Sequence, residues 1–153
     1  MSRLGSRHAA DESAGLLLWQ VTNRWQAAQR AVLKPFGLTH VQFVLLASLA
    51  WLSDAERPDD PVSQRTLADQ AATDPMMTSQ VLRTREGRGL VVRRPHPVDG
   101  RARAREVTDA GRTLVNEAVV AVEACDAAFF GALGDQVGGF TRALQRLKAG
   151  AAR

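Results

Sequence analysis

The sequence predicts a mainly α-helical (α+β) chain with one β-hairpin set into it, and three observations carry that prediction. Apolar residues recur at steps of three and four along most of the chain, the spacing of one helix face. Helix start and stop residues bracket those stretches. Between residues 91 and 107 the pattern breaks once, into a strand-like run, a Pro- and Gly-containing turn and a returning run.

The first helix spans residues 14–36, with Leu17, Val21, Trp25, Ala28 and Val32 on one stripe and Asn23, Arg24, Gln26 and Arg30 elsewhere. Pro35 and Gly37 end it. Thr39 starts a second helix, with Gln42 three residues on in capping-box spacing. Phe43, Leu45, Leu46, Leu49 and Trp51 make that helix apolar nearly all round, so it is expected at the centre. Ser53 to Asp60 reads as a polar loop closed by Pro61. Ser63 caps a short third helix through Ala72, with Leu67 and Ala71 inward. Asp74-Pro75 opens a fourth, to about Arg88, because an acceptor at the cap precedes the residue best tolerated at the first helical position. Gly89 stops it, and Met77, Val81 and Leu82 are expected to form its inward stripe.

Val91 to Arg94 is strand-like, residues 95–100 contain an Asp-Gly turn signal, and Ala102 to Val107 returns. Thr108 then caps a long fifth helix carrying Leu114, Val115, Ala118, Val119, Val122, Ala127 and Phe130. Gly131 and Gly134 break it, and a sixth helix at about 135–148 places Phe140, Leu144 and Leu147 on one side. Two helices across a tight turn, followed by a basic hairpin, make a winged helix-turn-helix. The expected division is an N-terminal arm and first dimerisation helix (1–37), a DNA-binding winged helix-turn-helix (38–107) and C-terminal dimerisation helices (108–153). The first and last helices are amphipathic arms too extended to close a core around the reading unit, so a second copy is expected to cover their leftover face.

Composition narrows the function. At 45% hydrophobic and 24% charged residues, the chain can bury a core as a soluble globular protein does. No apolar run approaches the roughly 20 residues of a membrane span. Met1 to Ser13 lacks the basic-then-apolar order of a secretory signal, so a cytoplasmic protein is expected. The one cysteine, Cys125, excludes an internal disulfide and a multi-cysteine zinc site. With His8, His40 and His96 scattered, neither a metal site nor a cofactor is expected. There is no Ser/His/Asp set, paired-carboxylate arrangement or Gly-rich phosphate loop, so an enzyme is not expected.

Charge is more telling. From Ser63 to Arg105 there are nine arginines and no lysine against four acidic residues, whereas the rest of the chain has 11 basic and 12 acidic residues. The whole basic excess of a chain with net charge +4 is therefore arginine in one segment. The guanidinium fork suits phosphates and guanine edges, which points to double-stranded DNA. On the fourth helix Thr78, Ser79, Gln80 and Arg83 are expected outward. Gln pairs with adenine and Arg with guanine, while Thr and Ser suit phosphates or thymine methyls. In the hairpin, Arg94 and His96 are candidate DNA contacts. Arg101 at the tip suits the minor groove, with Asp99 two residues before it to aim it.

These residues carry a resemblance. Leu38-Thr39-His40-Val41-Gln42-Phe43, Leu67-Ala68, Ser79-Gln80-Val81, Gly89-Leu90-Val91, Asp99-Gly100-Arg101-Ala102-Arg103 and Val107-Thr108-Asp109-Ala110-Gly111 together resemble the MarR family of bacterial regulators, over nearly the whole chain. The resemblance implies a homodimer held by the first, fifth and sixth helices and bound to a near-palindromic operator. It implies a repressor, with small aromatic or phenolic ligands weakening DNA binding. It also puts Arg103 near the DNA backbone and a ligand pocket between arms and reading unit, for which Trp19, Trp25, His40, Phe43 and Trp51 are the candidate lining. Two positions depart from the pattern. Arg85 stands where similar proteins carry leucine, and must reach solvent or a carboxylate such as Asp99, Glu86 or Asp69; Gly87 stands where a helix former is usual. Two other readings stay open: a DNA-binding regulator without a small-molecule effector, tuned by Cys125 oxidation or by expression level, and a protein-interaction module with a basic face.

Overall fold

The computed structural model describes residues 5–54, 62–95 and 103–151. Helix α1 (Ala14–Leu33) starts on Ser13, whose hydroxyl accepts from the Leu16 N–H, and runs into a 3-10 turn at Lys34–Phe36. Gly37 ends it at φ +66°, a left-handed conformation that an L side chain rarely adopts. Helix α2 (His40–Asp54) opens on the expected capping box. The Gln42 N–H donates to Thr39 Oγ1 at 3.3 Å, and the Thr39 N–H donates to Gln42 Oε1 at 3.0 Å. Phe43, Leu45, Leu46, Leu49 and Ala50 are buried, so α2 is the central helix. It extends through Ser53, expected in the loop, whose hydroxyl bonds back to the Leu49 carbonyl. The rest of that loop, residues 55–61, lies outside the described residues.

Strand β1 (Val62–Ser63) precedes α3 (Gln64–Ala71) and α4 (Pro75–Gly87). Strands β2 (Val91–Pro95) and β3 (Arg103–Val107) form the hairpin. The sheet is antiparallel in the order β1-β3-β2, with Val91 opposite Val107, Arg93 opposite Arg105 and Val62 opposite Arg105. Two residues are too few to show a period, so β1 has no signature in the sequence. Helix α5 (Asp109–Phe130) is followed by a 3-10 turn (Gly131–Gln136) that bends at Gly134, and then by α6 (Val137–Ala151). One core of Leu33, Leu45, Leu46, Leu49, Leu67, Leu82, Val91, Val107, Val115 and Ala118 joins α1–α5 to the sheet. Helix α6 buries no residue. Among the described residues no single helix is long and apolar enough to cross a membrane.

The junction of α4, the hairpin and α5 is closely fitted. Helix α4 ends in a Schellman motif: Leu90 N–H donates to the Arg85 carbonyl and Gly89 N–H to the Glu86 carbonyl, both at 3.0 Å, with Gly89 at φ +71°. Thr108 caps α5 by accepting from the Gly111 N–H at 3.1 Å while its hydroxyl donates to the Gly89 carbonyl at 2.6 Å. The Thr108 N–H donates to the Leu90 carbonyl at 3.1 Å. A Cβ on Gly111 would stand 2.2 Å from that same carbonyl oxygen and 2.8 Å from Val107 Cγ1. The Thr-x-x-Gly spacing is thus a cap and a close approach combined.

The two glycines of this region therefore behave oppositely. A Cβ on Gly87 meets nothing within 4 Å, and its φ is not positive. Gly87→Ala should raise the unfolding free energy by about 0.5–1 kcal/mol through helix propensity. Gly111→Ala should lower it by roughly 1–3 kcal/mol, because backbone must move. Urea unfolding of both variants checks the pair, and equal effects would contradict this account of the junction.

Candidate nucleic-acid interface

Helices α3 and α4 meet across a turn in which Ala72 adopts φ +52°. Asp74 caps α4 by accepting from the Met77 N–H at 3.0 Å, and Pro75 occupies the first turn. Here the structure corrects the expected placement of two residues, Met77 and Thr78. Thr78 is fully buried: its hydroxyl donates to the Asp74 carbonyl at 2.8 Å and lies 2.7 Å from Thr73 Oγ1. It therefore cannot present its side chain to DNA as expected, and instead locks the turn. Met77, expected inward, is exposed. The inward stripe is Thr78, Val81, Leu82 and Arg85: Val81 and Leu82 stand as expected, and Thr78 takes the place expected of Met77, its hydroxyl held by a carbonyl and a second hydroxyl.

The opposite stripe is Met76, Ser79, Gln80 and Arg83, at steps of three and four. With Asp74 and Met77 these residues line one open hollow of about 500 Å³. Gln80 and Arg83, two of the four expected outward residues, are exposed, and Ser79 on the same stripe is half-buried. On the hairpin Arg93 and Arg94 are exposed, and Arg94 pairs with Glu106 across the strands. Arg103 opens β3 opposite Pro95. His96, Asp99 and Arg101, the candidate tip residues, lie outside the described residues.

Behind the reading stripe two arginines are buried. Arg105 of β3, 4% exposed, places Nε 2.7 Å from Glu86 Oε1, a charge contact not aligned for a hydrogen bond. Glu86, one of the carboxylates expected to take Arg85, is thus engaged by Arg105. Arg85 itself is 5% exposed, and its Nε has no hydrogen-bond partner. No carboxylate pairs with it among the described residues, and Asp99 lies outside them. Burial pushes the pKa of its guanidinium below the ordinary arginine value, and the like charge of Arg88 adds to this.

Comparison with known proteins decides the family. The MarR family model matches residues 38–102. The crystal structure of the Mycobacterium tuberculosis MarR family protein Rv2887 in complex with DNA superposes at a TM-score of 0.68 with 32% identity, over 90% of this chain and 98% of that one. The same protein with salicylic acid is 33% identical over 91% and 99%. This chain belongs to the MarR family. Two further relatives of this MarR chain extend the picture. CouR from Rhodococcus jostii RHA1, bound to p-coumaroyl-CoA, superposes at a TM-score of 0.79 with 30% identity over 94% and 96% of the two chains. The uncharacterised HTH-type transcriptional regulator YdcH of Bacillus subtilis is 41% identical over 120 residues, 78% of this chain and 80% of that protein. The chain is a DNA-binding transcriptional regulator and not an enzyme.

A second cluster of this MarR chain lies where arm meets reading unit. Trp25 Nε1 and Gln29 Nε2 of α1 both donate to Asp126 Oδ1 of α5, at 2.8 and 2.7 Å. The His40 ring of α2 meets Trp25 edge-on, with centroids 5.0 Å apart. Gln29 is fully buried and its Oε1 has no partner. Of the five candidate lining residues the structure joins Trp25 to His40 and puts Phe43 in the core, while Trp19 and Trp51 are exposed. Gln29 and Asp126 were not candidates. Gln29 does fall four residues after Trp25, an amide beside an apolar stripe, but nothing local marks Asp126.

Two outcomes follow. Arg85→Leu, which removes an unpaired buried charge, should raise the unfolding free energy by on the order of 1 kcal/mol in urea titration; a loss of stability would mean that Arg85 is held by a partner. Burial lowers the His40 pKa below 6.5, Asp126 opposing and Arg30 assisting. The unfolded chain therefore binds the His40 proton first, and stability should fall as pH drops below 6.5. Comparing Tm at pH 7.5 and 5.5 should show a smaller drop for His40→Gln than for the parent.

Proposed function

We propose that this chain is a homodimeric repressor that reads a near-palindromic operator and releases it when a small aromatic ligand binds between arm and reading unit. The observation that carries the DNA reading is the outward stripe of half-buried Ser79 and exposed Gln80 and Arg83 beside a hairpin bearing exposed Arg93 and Arg94. Both lie in the segment that holds all the chain's basic excess. A recognition helix puts such side chains against base edges, while arginines of the hairpin, Arg94, Arg101 and Arg103 with His96, approach phosphates or the minor groove. Asp99 aims Arg101.

Dimerisation is supported by apolar side chains that one chain leaves in water. Leu18 and Trp19 of α1, Val120 of α5 and Leu147 of α6 are each more than half exposed. A second copy related by a two-fold axis would cover them, and would set two reading helices about 34 Å apart for successive major grooves. Residues 38–107 then form the reading unit between two dimerising segments.

The ligand reading is supported by the cluster of Trp25, Gln29, His40 and Asp126, which joins α1 and α5 to the start of α2. An aromatic molecule engaging Gln29 Oε1 would have to part these helices and so change the spacing of the reading heads. Rv2887 has been crystallised with salicylic acid and CouR with p-coumaroyl-CoA, which supports testing aromatic acids first.

In a binding selection from random duplexes followed by fluorescence anisotropy, the chain should enrich a two-fold-related site, bind it as two chains per duplex and weaken steeply with salt. Gln80→Ala and Arg83→Ala should each relax preference at particular base pairs, by about 1–3 kcal/mol. Arg94→Ala and Arg101→Ala should weaken all duplexes alike. Salicylate should lower operator affinity in the parent and not in Trp25→Ala. No enriched duplex would refute the operator reading, whereas operator binding indifferent to aromatic acids would remove the effector alone.

A further inference from the structure

The outward stripe of α4 carries a residue type that its polar members do not explain. Met76 is 82% exposed and Met77 39%, both in the first turn of the helix, and both line the hollow shared with Ser79, Gln80 and Arg83. Neither belongs to the core. Met76 stands at the N-terminal end of the stripe, three, four and seven residues before Ser79, Gln80 and Arg83.

The first turn of a recognition helix is the part set deepest against base edges. A thioether offers no hydrogen-bond donor and only a weak acceptor, so it cannot read the edge of a purine. The apolar feature displayed in the major groove is the C5-methyl group of thymine. Of the two threonines on this helix, suited by type to such a contact, Thr78 is buried with its hydroxyl engaged inside the fold. Thr84 lies in the last turn, away from the end set deepest in the groove, with its hydroxyl on the Gln80 carbonyl. Methionine is unbranched and polarisable, and it fits itself to an irregular apolar target at little strain. We infer that Met76, flanked by Met77, reads a thymine methyl in each operator half-site and is a specificity-determining residue of this regulator. The inference rests on the operator reading above and gives its stripe a third chemistry beside amide and guanidinium.

The test uses the full-length protein and the duplex it selects from a random pool. Each thymine is replaced singly by deoxyuridine, which deletes the methyl group and keeps every hydrogen-bonding group. At one or two thymines per half-site the parent should lose about fourfold in affinity, the factor expected for one methyl-sized group withdrawn from an apolar contact. Met76→Ala should bind the thymine duplex more weakly by a similar factor and lose nothing further on the deoxyuridine duplex. Gln80→Ala should keep the full deoxyuridine penalty. Met76 is exposed, so an unchanged unfolding midpoint separates lost contact from lost fold. A penalty that persists undiminished in both Met76→Ala and Met77→Ala overturns the inference, as does a selected duplex with no methyl-sensitive thymine. Both results leave operator binding intact, whereas failure to select any duplex removes the operator reading and the inference together.

Discussion

The carbonyl of Leu90 is the point on which this architecture turns. It accepts the Thr108 N–H, and it lies so near Cα of Gly111 that no side chain fits there. One residue earlier, the Gly89 carbonyl takes the Thr108 hydroxyl. The end of the reading helix, the base of the hairpin and the start of the long arm helix are therefore joined through two consecutive peptide groups. A motion of α5 is carried to α4 through hydrogen bonds and steric contact, with no loop between them to absorb it.

Much of this was legible in the sequence because it is local chemistry. The Thr39–Gln42 box, the Ser63, Asp74 and Thr108 caps and the Gly37 and Gly89 stops each act within four residues, and all stand where the spacing put them. The inward stripe of α4 was legible only in part, since Val81 and Leu82 face inward as expected but Met77 does not. Met77 is apolar and Thr78 polar, so hydropathy pointed the wrong one inward. The outcome was decided by Thr73 and the Asp74 carbonyl, which satisfy a buried hydroxyl. The Asp126 cluster escaped for another reason. Its donors are 97 and 101 residues away in sequence, and only the packing of α1 on α5 brings them together.

Electrostatics divides the arginines of the central segment into two populations. Arg83, Arg93 and Arg94 are exposed, whereas Arg85 and Arg105 are buried behind the same surface. The inner pair is held against a low-dielectric core with Glu86 as counter-charge to Arg105. A positive potential on the reading face thus has a fixed inner contribution that exposed side chains do not supply and that salt screens weakly. A leucine at the position of Arg85 would lack it.

The Arg94–Glu106 pair on the hairpin sets the charge that the free hairpin presents. Both partners are more than half exposed, so the pair is weak and opens readily. While it is closed, however, the two strands of the hairpin carry one cation fewer than the arginine content suggests. The hairpin is in this sense self-screened: an anion approaching Arg94 meets a guanidinium already shared with the carboxylate of the neighbouring strand, and has to take the place of Glu106 to engage it fully.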